Sequence, residues 1–315
     1  MKKKILITGG AGFIGSYLAE EFKNEYGVVI YDNYHRSSLE FIPELVNSKD
    51  VEIVKGDILD IDTLEKAMQD VYAVIHLAAI AGVSSYHTAP LDTLRVNIFG
   101  NINVLDAMRR TGTKRIINFS SSEVYGVDAD NVSEEHPFNI GPVSEKRWVY
   151  ATSKLTSEQF SLRYGEKYGI ESTNVRPFNI YGPRQTGEGA ISNFSKNLVV
   201  GKPIVIYGDG EDVRSWCYIS DLVDGIKLVF KKPESIGRSI NIGNPSQTVT
   251  VNELAELIIK VYGKGKVEFI KADHAPIRKR IPDVTLADEL LGLQPKICLA
   301  DGLKATLEWH SEVMQ

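Results

Sequence analysis

Tyr150 and Lys154 lie one helical turn apart, and this pair of side chains could carry out acid/base chemistry. A spacing of four residues places both on the same face of a helix. The ammonium group of a nearby lysine favours the ionised phenol and lowers its pKa, which suits a general acid/base near neutral pH. The spacing recurs at Tyr262 and Lys266, where two glycines favour a turn. Taken alone, it therefore fits an exposed helix pair as well as a catalytic pair.

Three serines and a glutamate occupy positions 120–123, directly after the apolar residues 115–119. A buried strand that ends in polar residues delivers them to the carboxyl edge of a sheet, where α/β proteins place their sites. We expect one of these serine hydroxyls to share a proton with Tyr150. Glu123 has two interpretations, as a catalytic base or as a strand-end carboxylate without a chemical role.

A glycine-rich segment with Gly9, Gly12 and Gly15 lies between the apolar residues 4–8 and a segment with helical apolar spacing. Glycine allows a tight turn there and lets the backbone approach a pyrophosphate at a helix amino terminus. The next apolar run ends at Asp32, whose carboxylate would bind the adenosine ribose hydroxyls and repel a 2′-phosphate. The pattern predicts NAD rather than NADP, and a strand-end turn is the alternative interpretation of Asp32.

Strand-like and helical patterns alternate through the first 175 residues. Strands are predicted over 51–55 and 72–79, with a helix over 63–69 between them. Asp57 follows the first of these strands and could meet the adenine, whereas His76 lies inside the second and is expected to be a core histidine. The alternation predicts an α/β fold with a doubly wound parallel sheet.

A long helix is predicted by an apolar stripe that serves core packing or subunit contact. The stripe consists of Leu91, Leu94, Ile98, Ile102, Leu105 and Met108. After residue 175 the alternation loosens into a loop and shorter elements, with a final helix over 299–309. We predict an NAD-binding domain over 1–175 and a smaller domain over 176–315, with some later strands rejoining the first sheet.

Composition excludes several classes of protein. The 315 residues are 43% hydrophobic and 24% charged, and the net charge of −5 offers no basic surface for nucleic acid or anionic membrane. No apolar run approaches the length of a membrane span. Cys217 and Cys298 make no disulfide framework and predict free thiols in the cytoplasm. The six histidines lack metal-ligand spacing, so no metal site is predicted.

With these residues assembled, the sequence resembles the extended short-chain dehydrogenase/reductases of the NAD-dependent epimerase/dehydratase family, which act on nucleotide-diphosphate sugars. The motifs that carry the resemblance extend over nearly the whole chain. They are residues 8–15, 32–33, 56–57, 76–79, 96–97, 120–126, Tyr150 with Lys154, 176–183, 212–221 and 280–283. The resemblance implies a Rossmann-type sheet, a smaller C-terminal α/β domain that binds the nucleotide sugar, and a homodimer through helices near 92–110 and 150–168.

The resemblance also implies roles for individual residues. NAD is retained and is reduced and reoxidised within one turnover while the sugar is oxidised transiently at carbon 4. The implied catalytic residues are Ser121, Glu123, Tyr150 and Lys154. The implied NAD-binding residues are Gly9, Gly12, Phe13, Ile14, Gly15, Asp32, Asn33, Asp57, Ile58, Leu77, Ala78, Ala79, Asn97, Tyr150 and Lys154. The implied substrate-binding residues are Tyr86, Ser122, Asn179, Arg214 and Arg280, of which Asn179 and the two arginines would hold the nucleotide and diphosphate.

The reaction depends on what happens to the 4-keto sugar. Simple 4-epimerases of the family usually lack an acid at the position of Glu123, whereas sugar dehydratases and glucuronate decarboxylases have one. The pair Ser122 and Glu123 resembles the UDP-glucuronate decarboxylases or the GDP-mannose type of dehydratase. Tyr86 and residues 146–150 resemble the decarboxylases, while residues 81–83 resemble glucuronate 4-epimerases. These features favour decarboxylation or dehydration, with 4-epimerisation as the alternative. A non-catalytic nucleotide-binding protein and a plain NADP reductase are remoter alternatives, opposed by the intact catalytic residues and by Asp32.

Overall fold

The computed structural model describes residues 2–127, 129–271 and 277–314. The strands are Lys4–Thr8 (β1), Gly27–Asp32 (β2), Val51–Lys55 (β3), Val71–His76 (β4), Arg115–Phe119 (β5), Ala129–Val132 (β6), Glu171–Pro177 (β7), Ile180–Tyr181 (β8), Ile204–Tyr207 (β9), Val213–Ser215 (β10), Cys217–Tyr218 (β11), Arg238–Ile242 (β12), Thr248–Thr250 (β13), Val267–Ile270 (β14) and Lys279–Pro282 (β15). The α-helices are Phe13–Phe22 (α1), Pro43–Val46 (α2), Ile61–Ala67 (α3), Val83–Thr88 (α4), Pro90–Thr111 (α5), Trp148–Tyr168 (α6), Ala190–Val199 (α7), Ile219–Lys231 (α8), Val251–Tyr262 (α9), Thr285–Leu291 (α10) and Leu299–Val313 (α11). Short 3-10 helices occupy Leu39–Phe41, Ser122–Tyr125, Pro233–Ser235 and Pro245–Gln247.

Seven parallel strands form the central sheet, in the order β12-β7-β5-β4-β1-β2-β3. Strand order reverses between β1 and β4, and in such sheets a crevice opens there at the carboxyl ends of the strands. All four residues of β1 after Lys4 are buried, as are all residues of β5. Continuous apolar burial of this kind requires helices on both faces. The predicted doubly wound parallel sheet is confirmed.

Capping residues determine where several helices begin and end, and they explain why α3 begins earlier than predicted. The helix predicted over 63–69 is α3, which begins two residues earlier because the carboxylate of Asp60 caps it and accepts a hydrogen bond from the Thr63 amide at 3.2 Å. The long helices α5 and α6 end at Gly112 and Gly169, which have positive φ angles of 79° and 71°. Glycine adopts this left-handed conformation without the steric cost of a Cβ atom.

The predicted apolar stripe of α5 divides between core and surface. Leu105 and Met108 are fully buried beneath the sheet, whereas Leu91, at the other end of the helix, is 74% exposed. The final helix begins at the expected residue but extends to Val313 rather than to 309. None of the helices within the described ranges is both long and apolar enough to cross a bilayer.

A second, four-stranded sheet has the order β13-β10-β15-β6. Its last strand, β6, comes from the segment between β5 and α6. Conversely, β12 comes from the C-terminal part of the chain and pairs with β7 at the edge of the central sheet, with Ile240 opposite Val175. Each sheet therefore contains one strand from the part of the chain that builds the other.

Candidate active site

The glycine-rich segment forms a tight turn between β1 and α1. Gly9 has a φ of +70°, and a Cβ on it would lie 2.7 Å from the Ala78 amide nitrogen. A Cβ on Gly15 would lie 2.7 Å from the Gly10 Cα, so only glycine allows the start of α1 to approach the turn this closely. Gly12 begins α1 without a side-chain cap, so the amides of the first turn, from Phe13 onward, are available to a ligand. This cradle fits the pyrophosphate of a dinucleotide.

Asp32 lies at the end of β2, beside this cradle, and is almost fully buried. Its carboxylate accepts hydrogen bonds from the Ala11 amide at 3.0 Å and from the Tyr34 amide at 2.8 Å. Burial raises the pKa of Asp32, and these amide bonds oppose the rise. Each carboxylate oxygen retains a second lone pair that could accept a ribose hydroxyl. The position fits the predicted role in NAD binding.

Asp57, which was predicted to meet the adenine, and Ile58 lie on the loop after β3, and Asn33 directly follows β2. The side-chain amide of Asn33 lies 3.4 Å from the Asp57 carboxylate, which also accepts the Leu59 amide at 2.9 Å. Ile58 is buried and packs against α5, where a Cβ on Gly100 would clash with it. These contacts fix the loop next to Asp32.

The small residues after β4 pass close to the glycine turn. The amides of Leu77 and Ala78 donate to the Thr8 carbonyl at 3.0 and 3.1 Å, and Ala79 continues the same loop. His76 is 3% exposed, and its Nδ1 lies 2.7 Å from the Thr8 hydroxyl, which confirms the predicted core histidine. Burial lowers the pKa of His76 to about 3, so the ring is neutral.

Asn97 joins three elements from inside the fold. Its side chain accepts from the Ile80 amide at 2.8 Å and donates to the Ile80 carbonyl at 3.1 Å and to the Ser153 hydroxyl at 3.0 Å. With 3% exposure, it orders the loop after β4 against α6. Its contact with the cofactor stays a prediction, and its contacts here are with the protein.

Tyr150 and Lys154 share a face in the first turns of α6, as their spacing predicted. The Lys154 ammonium lies 5.9 Å from the centre of the Tyr150 ring and donates to the Phe119 carbonyl at 2.7 Å, at the end of β5. Ser121 caps the 3-10 helix Ser122–Tyr125 by accepting the Glu123 amide at 3.2 Å, and it also hydrogen-bonds with Tyr150. The structure therefore brings together Ser121, Tyr150 and Lys154.

The ionisation of this pair differs from the expectation based on spacing. Burial, followed by the negative charge of Glu123, raises the pKa of Tyr150, and the hydrogen bond with Ser121 only partly opposes them. Burial lowers the pKa of Lys154 to about 8, against the charge of Glu158. Removal from water disfavours both charged forms. Tyr150 is thus a neutral phenol near neutral pH.

Glu123 and Arg280 form an ion pair beside Tyr150. Their closest side-chain atoms are 3.4 Å apart, with Arg280 2% exposed and Glu123 33% exposed. Arg280 also donates to the carbonyls of Ser122 and Gly126, at the two ends of the 3-10 helix. The resemblance assigned Arg280 to the nucleotide and diphosphate, whereas its contacts in the structure are with the segment that carries Glu123.

The other predicted substrate residues approach the same crevice from different elements. Tyr86, on α4, is 7% exposed, and the charges of Arg147 and Glu123 both act on it. Asn179 has a positive φ of 42° and donates to the Ser215 carbonyl at 2.8 Å, next to Arg214 on β10. The proximity of Arg147 to this group was not predicted, because nothing in the sequence relates the start of α6 to α4 and β10.

A buried polar network supports the 3-10 helix from behind. Arg176 and Glu158 form a two-pronged ion pair with distances of 2.9 and 2.7 Å, and their side chains are 4% and 3% exposed. Arg176 also donates to the Tyr125 hydroxyl at 2.8 Å, which in turn donates to Asn241 at 2.7 Å. Tyr125 lies two residues after Glu123, so this network fixes the segment that carries the carboxylate.

Comparison with known proteins agrees with this geometry. A sequence profile described as the NAD dependent epimerase/dehydratase family matches residues 5–243. A UDP-N-acetyl-alpha-D-glucosaminuronate decarboxylase of Bacillus cytotoxicus is 34% identical, with 99% of both chains covered. UDP-glucuronic acid decarboxylase 5 of Arabidopsis thaliana is also 34% identical, with 95% of this chain and 87% of the relative covered.

A crystal structure of the UDP-glucuronic acid 4-epimerase from Bacillus cereus, in complex with UDP-glucuronic acid and NAD, has the same fold. It superposes with a TM-score of 0.90 and 30% identity, covering 98% of this chain and 99% of the epimerase. The glycine cradle, Asp32 and the Ser121, Tyr150 and Lys154 group together fit NAD as the cofactor. The chain therefore belongs to the NAD-dependent epimerase/dehydratase family and is an NAD-dependent enzyme, as its sequence predicted.

Proposed function

We propose that the protein removes carbon dioxide from a UDP-linked uronic acid after transient oxidation of the sugar at carbon 4. The observation that carries this proposal is the ion pair of Glu123 and Arg280 beside Tyr150. The names of the relatives support it, since two decarboxylases are each 34% identical to this chain. Those names also suggest two substrates, UDP-glucuronate and UDP-N-acetylglucosaminuronate.

In this proposal the two parts of the chain divide the ligands between them. Residues 1–175 hold NAD through the glycine cradle, Asp32, the loop at Asp57 and the small residues after β4. When bound, NAD supplies a reversible hydride acceptor at carbon 4. Residues 176–315 contribute Asn179, Arg214 and Arg280 to the nucleotide sugar. Arginine suits this role because its planar fork of donors matches phosphate and carboxylate oxygens.

Tyr150 moves the proton at the oxygen on carbon 4. Ser121 orients the phenol, and the Lys154 ammonium stabilises its ionised form. Oxidation makes the uronate a β-keto acid, in which the bond between carbons 5 and 6 can break as carbon dioxide leaves. The electron pair of that bond passes to the oxygen on carbon 4, which gives an enolate, and carbon 5 then takes up a proton. The ketone at carbon 4 is reduced when the hydride returns, and Tyr150 gives the proton to its oxygen. Glu123, held by Arg280, orients the sugar during the decarboxylation.

Glu123 separates the proposal from simple epimerisation. In a 4-epimerase the oxidised sugar only rotates in the site and takes the hydride back on its other face. A carboxylate beside it then has no proton to move and no group to orient. The exposed third of Glu123 and its pairing with a buried arginine support a fixed negative charge near Tyr150, where this proposal puts the reacting carbons. The 4-epimerase and dehydratase alternatives differ from the proposal in their products.

The test is to give the purified NAD-loaded protein UDP-glucuronate, UDP-N-acetylglucosaminuronate, GDP-mannose and UDP-N-acetylglucosamine, and to weigh the products by mass spectrometry. Loss of the mass of carbon dioxide from a uronate is the expected result. Loss of the mass of water would indicate a dehydratase. An unchanged mass with a new epimer would indicate a 4-epimerase, and either of these results would contradict the proposal.

Glu123→Gln gives the mechanistic test. We expect this variant to retain NAD and to lose product formation by about 10²–10⁴-fold, the range for a group that acts in the chemical step. Glu135→Gln, an exposed carboxylate of the neighbouring loop, is the matched control and should keep full activity. A Glu123→Gln variant that decarboxylates at the wild-type rate would remove Glu123 from the mechanism.

We also propose a homodimer through α5 and α6. Both helices expose apolar side chains, including Phe99 at 58% and Tyr168 at 43%, and Phe160 and Tyr164 line a groove on the outer face of α6. A second copy of the same face would cover this surface. A monomeric mass in light scattering of the NAD-loaded protein would contradict the homodimer.

The cytoplasmic location stays a prediction, consistent with free thiols at Cys217 and Cys298.

A further inference from the structure

Arg147 is held at the start of α6, three residues before Tyr150. Its guanidinium carbon lies 5.5 Å from the ring centre of Trp148, which is itself buried. The neighbouring Lys146 donates to the His87 carbonyl at 3.3 Å and so ties the start of α6 to α4. The Arg147 guanidinium is therefore positioned by the fold and does not extend freely into solvent.

Arg147 lacks the acidic partner that the two neighbouring arginines have. Arg214 lies 3.3 Å from the Asp212 carboxylate, and Arg280 lies 3.4 Å from that of Glu123. Within the described residues, Arg147 makes no ion pair, and its buried Nε has no hydrogen-bond partner. A buried N–H group without a partner is costly, so the Nε of Arg147 offers an unsatisfied donor to a ligand.

The charge of Arg147 acts on the sugar end of the crevice. Burial raises the pKa of Tyr86, and the charge of Arg147 opposes this rise. Burial also lowers the pKa of Arg280, and Arg147 adds to that lowering. Since Tyr86 and Arg280 both face Glu123, Arg147 lies near the carboxylate that neighbours Tyr150. Glu188 also acts on Tyr86, so the surroundings are not purely cationic. Of the three arginines, Arg147 is the one without an ion pair within the described residues, and its guanidinium is the group left for an anion.

We propose that Arg147 binds the carboxylate on carbon 6 of the sugar and thereby selects uronic acids over neutral sugars. The inference rests on the proposed function, because it assumes that the substrate is a nucleotide-linked uronate. Nε and one terminal nitrogen of a guanidinium form a planar pair of donors that matches the two oxygens of a carboxylate. The substrate would thus supply the partner that the buried Nε lacks.

This role acts on binding more than on the chemical step. The carboxylate is present in the bound substrate and leaves as carbon dioxide, so its contact with Arg147 is strongest before the reaction. Removing a contact that stabilises the bound substrate at least as much as the transition state raises KM and does not lower kcat. Arg147 is therefore a specificity residue, and Tyr150, Ser121 and Lys154 remain the groups at the reacting atoms.

The test compares Arg147→Gln with wild type in equilibrium binding to the NAD-loaded protein. The ligands are UDP, two neutral sugars (UDP-glucose and UDP-N-acetylglucosamine) and the two corresponding uronates. We expect Arg147→Gln to weaken uronate binding by about 10- to 100-fold, the range for losing a hydrogen bond to a charged group. Affinities for UDP and for the neutral sugars should change by less than about twofold. In kinetics with the reactive uronate, KM should rise and kcat should stay within about threefold.

Two further variants keep the test decisive if Arg147→Gln is poorly folded. Arg147→Lys keeps the charge but loses the fork, and it should recover part of the preference for uronates. Arg163→Gln, an exposed arginine on the same helix, is the matched control and should behave as wild type. NAD content and melting temperature report folding in each variant.

Three results would overturn the proposal. The first is a wild-type protein that binds uronates no better than neutral sugars, and the second is an equal loss of affinity for UDP and uronates in Arg147→Gln, which would place Arg147 at the diphosphate. The third is a fall in kcat with unchanged KM. Failure of the proposed function is detected separately, because release of carbon dioxide by the wild-type protein does not depend on how Arg147 acts.

Discussion

Breaking the buried ion pair of Arg176 and Glu158 should destabilise the protein strongly. Glu158→Gln keeps the shape of the side chain but leaves the Arg176 guanidinium charged, since an arginine side chain does not lose its proton in proteins. Both side chains are less than 5% exposed, at 4% and 3%, so water cannot replace the carboxylate. Removing one partner of such a pair costs about 3–5 kcal/mol.

The structure supplies a matched control on the same helix. Arg163 and Glu166 lie 2.8 Å apart, but their side chains are 59% and 61% exposed. Glu166→Gln should therefore cost less than about 1 kcal/mol, because exposed pairs contribute little. The comparison holds the helix and the substitution constant and changes only burial.

Urea unfolding of the NAD-saturated protein, followed by circular dichroism, measures the difference. NAD must be at the same saturating concentration throughout, because a ligand that binds the native state adds to apparent stability. The double variant Glu158→Gln with Arg176→Gln removes both charges and should lose less than the sum of the single variants. A Glu158→Gln variant that loses no more free energy than Glu166→Gln would refute the reasoning, since burial would then not decide the cost of breaking an ion pair.

Three further predictions concern pH, the cofactor and the reaction. The pKa of His76 is lowered to about 3 in the folded protein, below its value of about 6.5 in the unfolded chain, so acidification below about pH 6.5 favours unfolding. Between pH 7.5 and 5 this residue should cost about 2 kcal/mol, which urea titrations of wild type and His76→Gln would measure; an equal loss in the variant would contradict it. Gly15→Ala should reduce NAD affinity at least about tenfold in calorimetry, because the added Cβ lies 2.7 Å from the Gly10 Cα, whereas Gly27→Ala, with its nearest atom at 3.5 Å, should not. Tyr150→Phe should retain NAD and lose about 10²–10⁴-fold in turnover, and near-normal turnover would exclude Tyr150 as the acid/base.

Features fixed by local spacing were predictable from the sequence. The glycine turn, the strand that ends at Asp32 and the helical pair Tyr150 and Lys154 each depend on residues close together in the chain. The central sheet followed from the alternation of strand and helix patterns. In each case the short-range pattern limits the backbone to one arrangement, so the tertiary fold confirms what the local pattern predicts.

Features that depend on distant contacts were not predictable in the same way. β6 has four residues, two of them exposed, and it becomes a strand only because β15 lies beside it. The pairing of Arg280 with Glu123 depends on that same contact. The pKa of Tyr150 rises because of burial, which is a property of the assembled fold and not of the spacing to Lys154.

The strands exchanged between the two sheets affect the order in which the chain can complete its folding during synthesis. β6 leaves the ribosome long before β15, and β7 long before β12, so both wait with an unpaired edge for a partner made later. Such late pairings slow folding and expose edges to aggregation. A fragment that ends near residue 175 would keep the cofactor motif and the pairing of β7 with β5, but it would lack β12 on the other side of β7. Expression of one part alone should therefore fail, because it separates both strand pairs. Genetic exchange of one part between relatives should succeed only where the exchanged segment keeps β6 with β15 and β7 with β12.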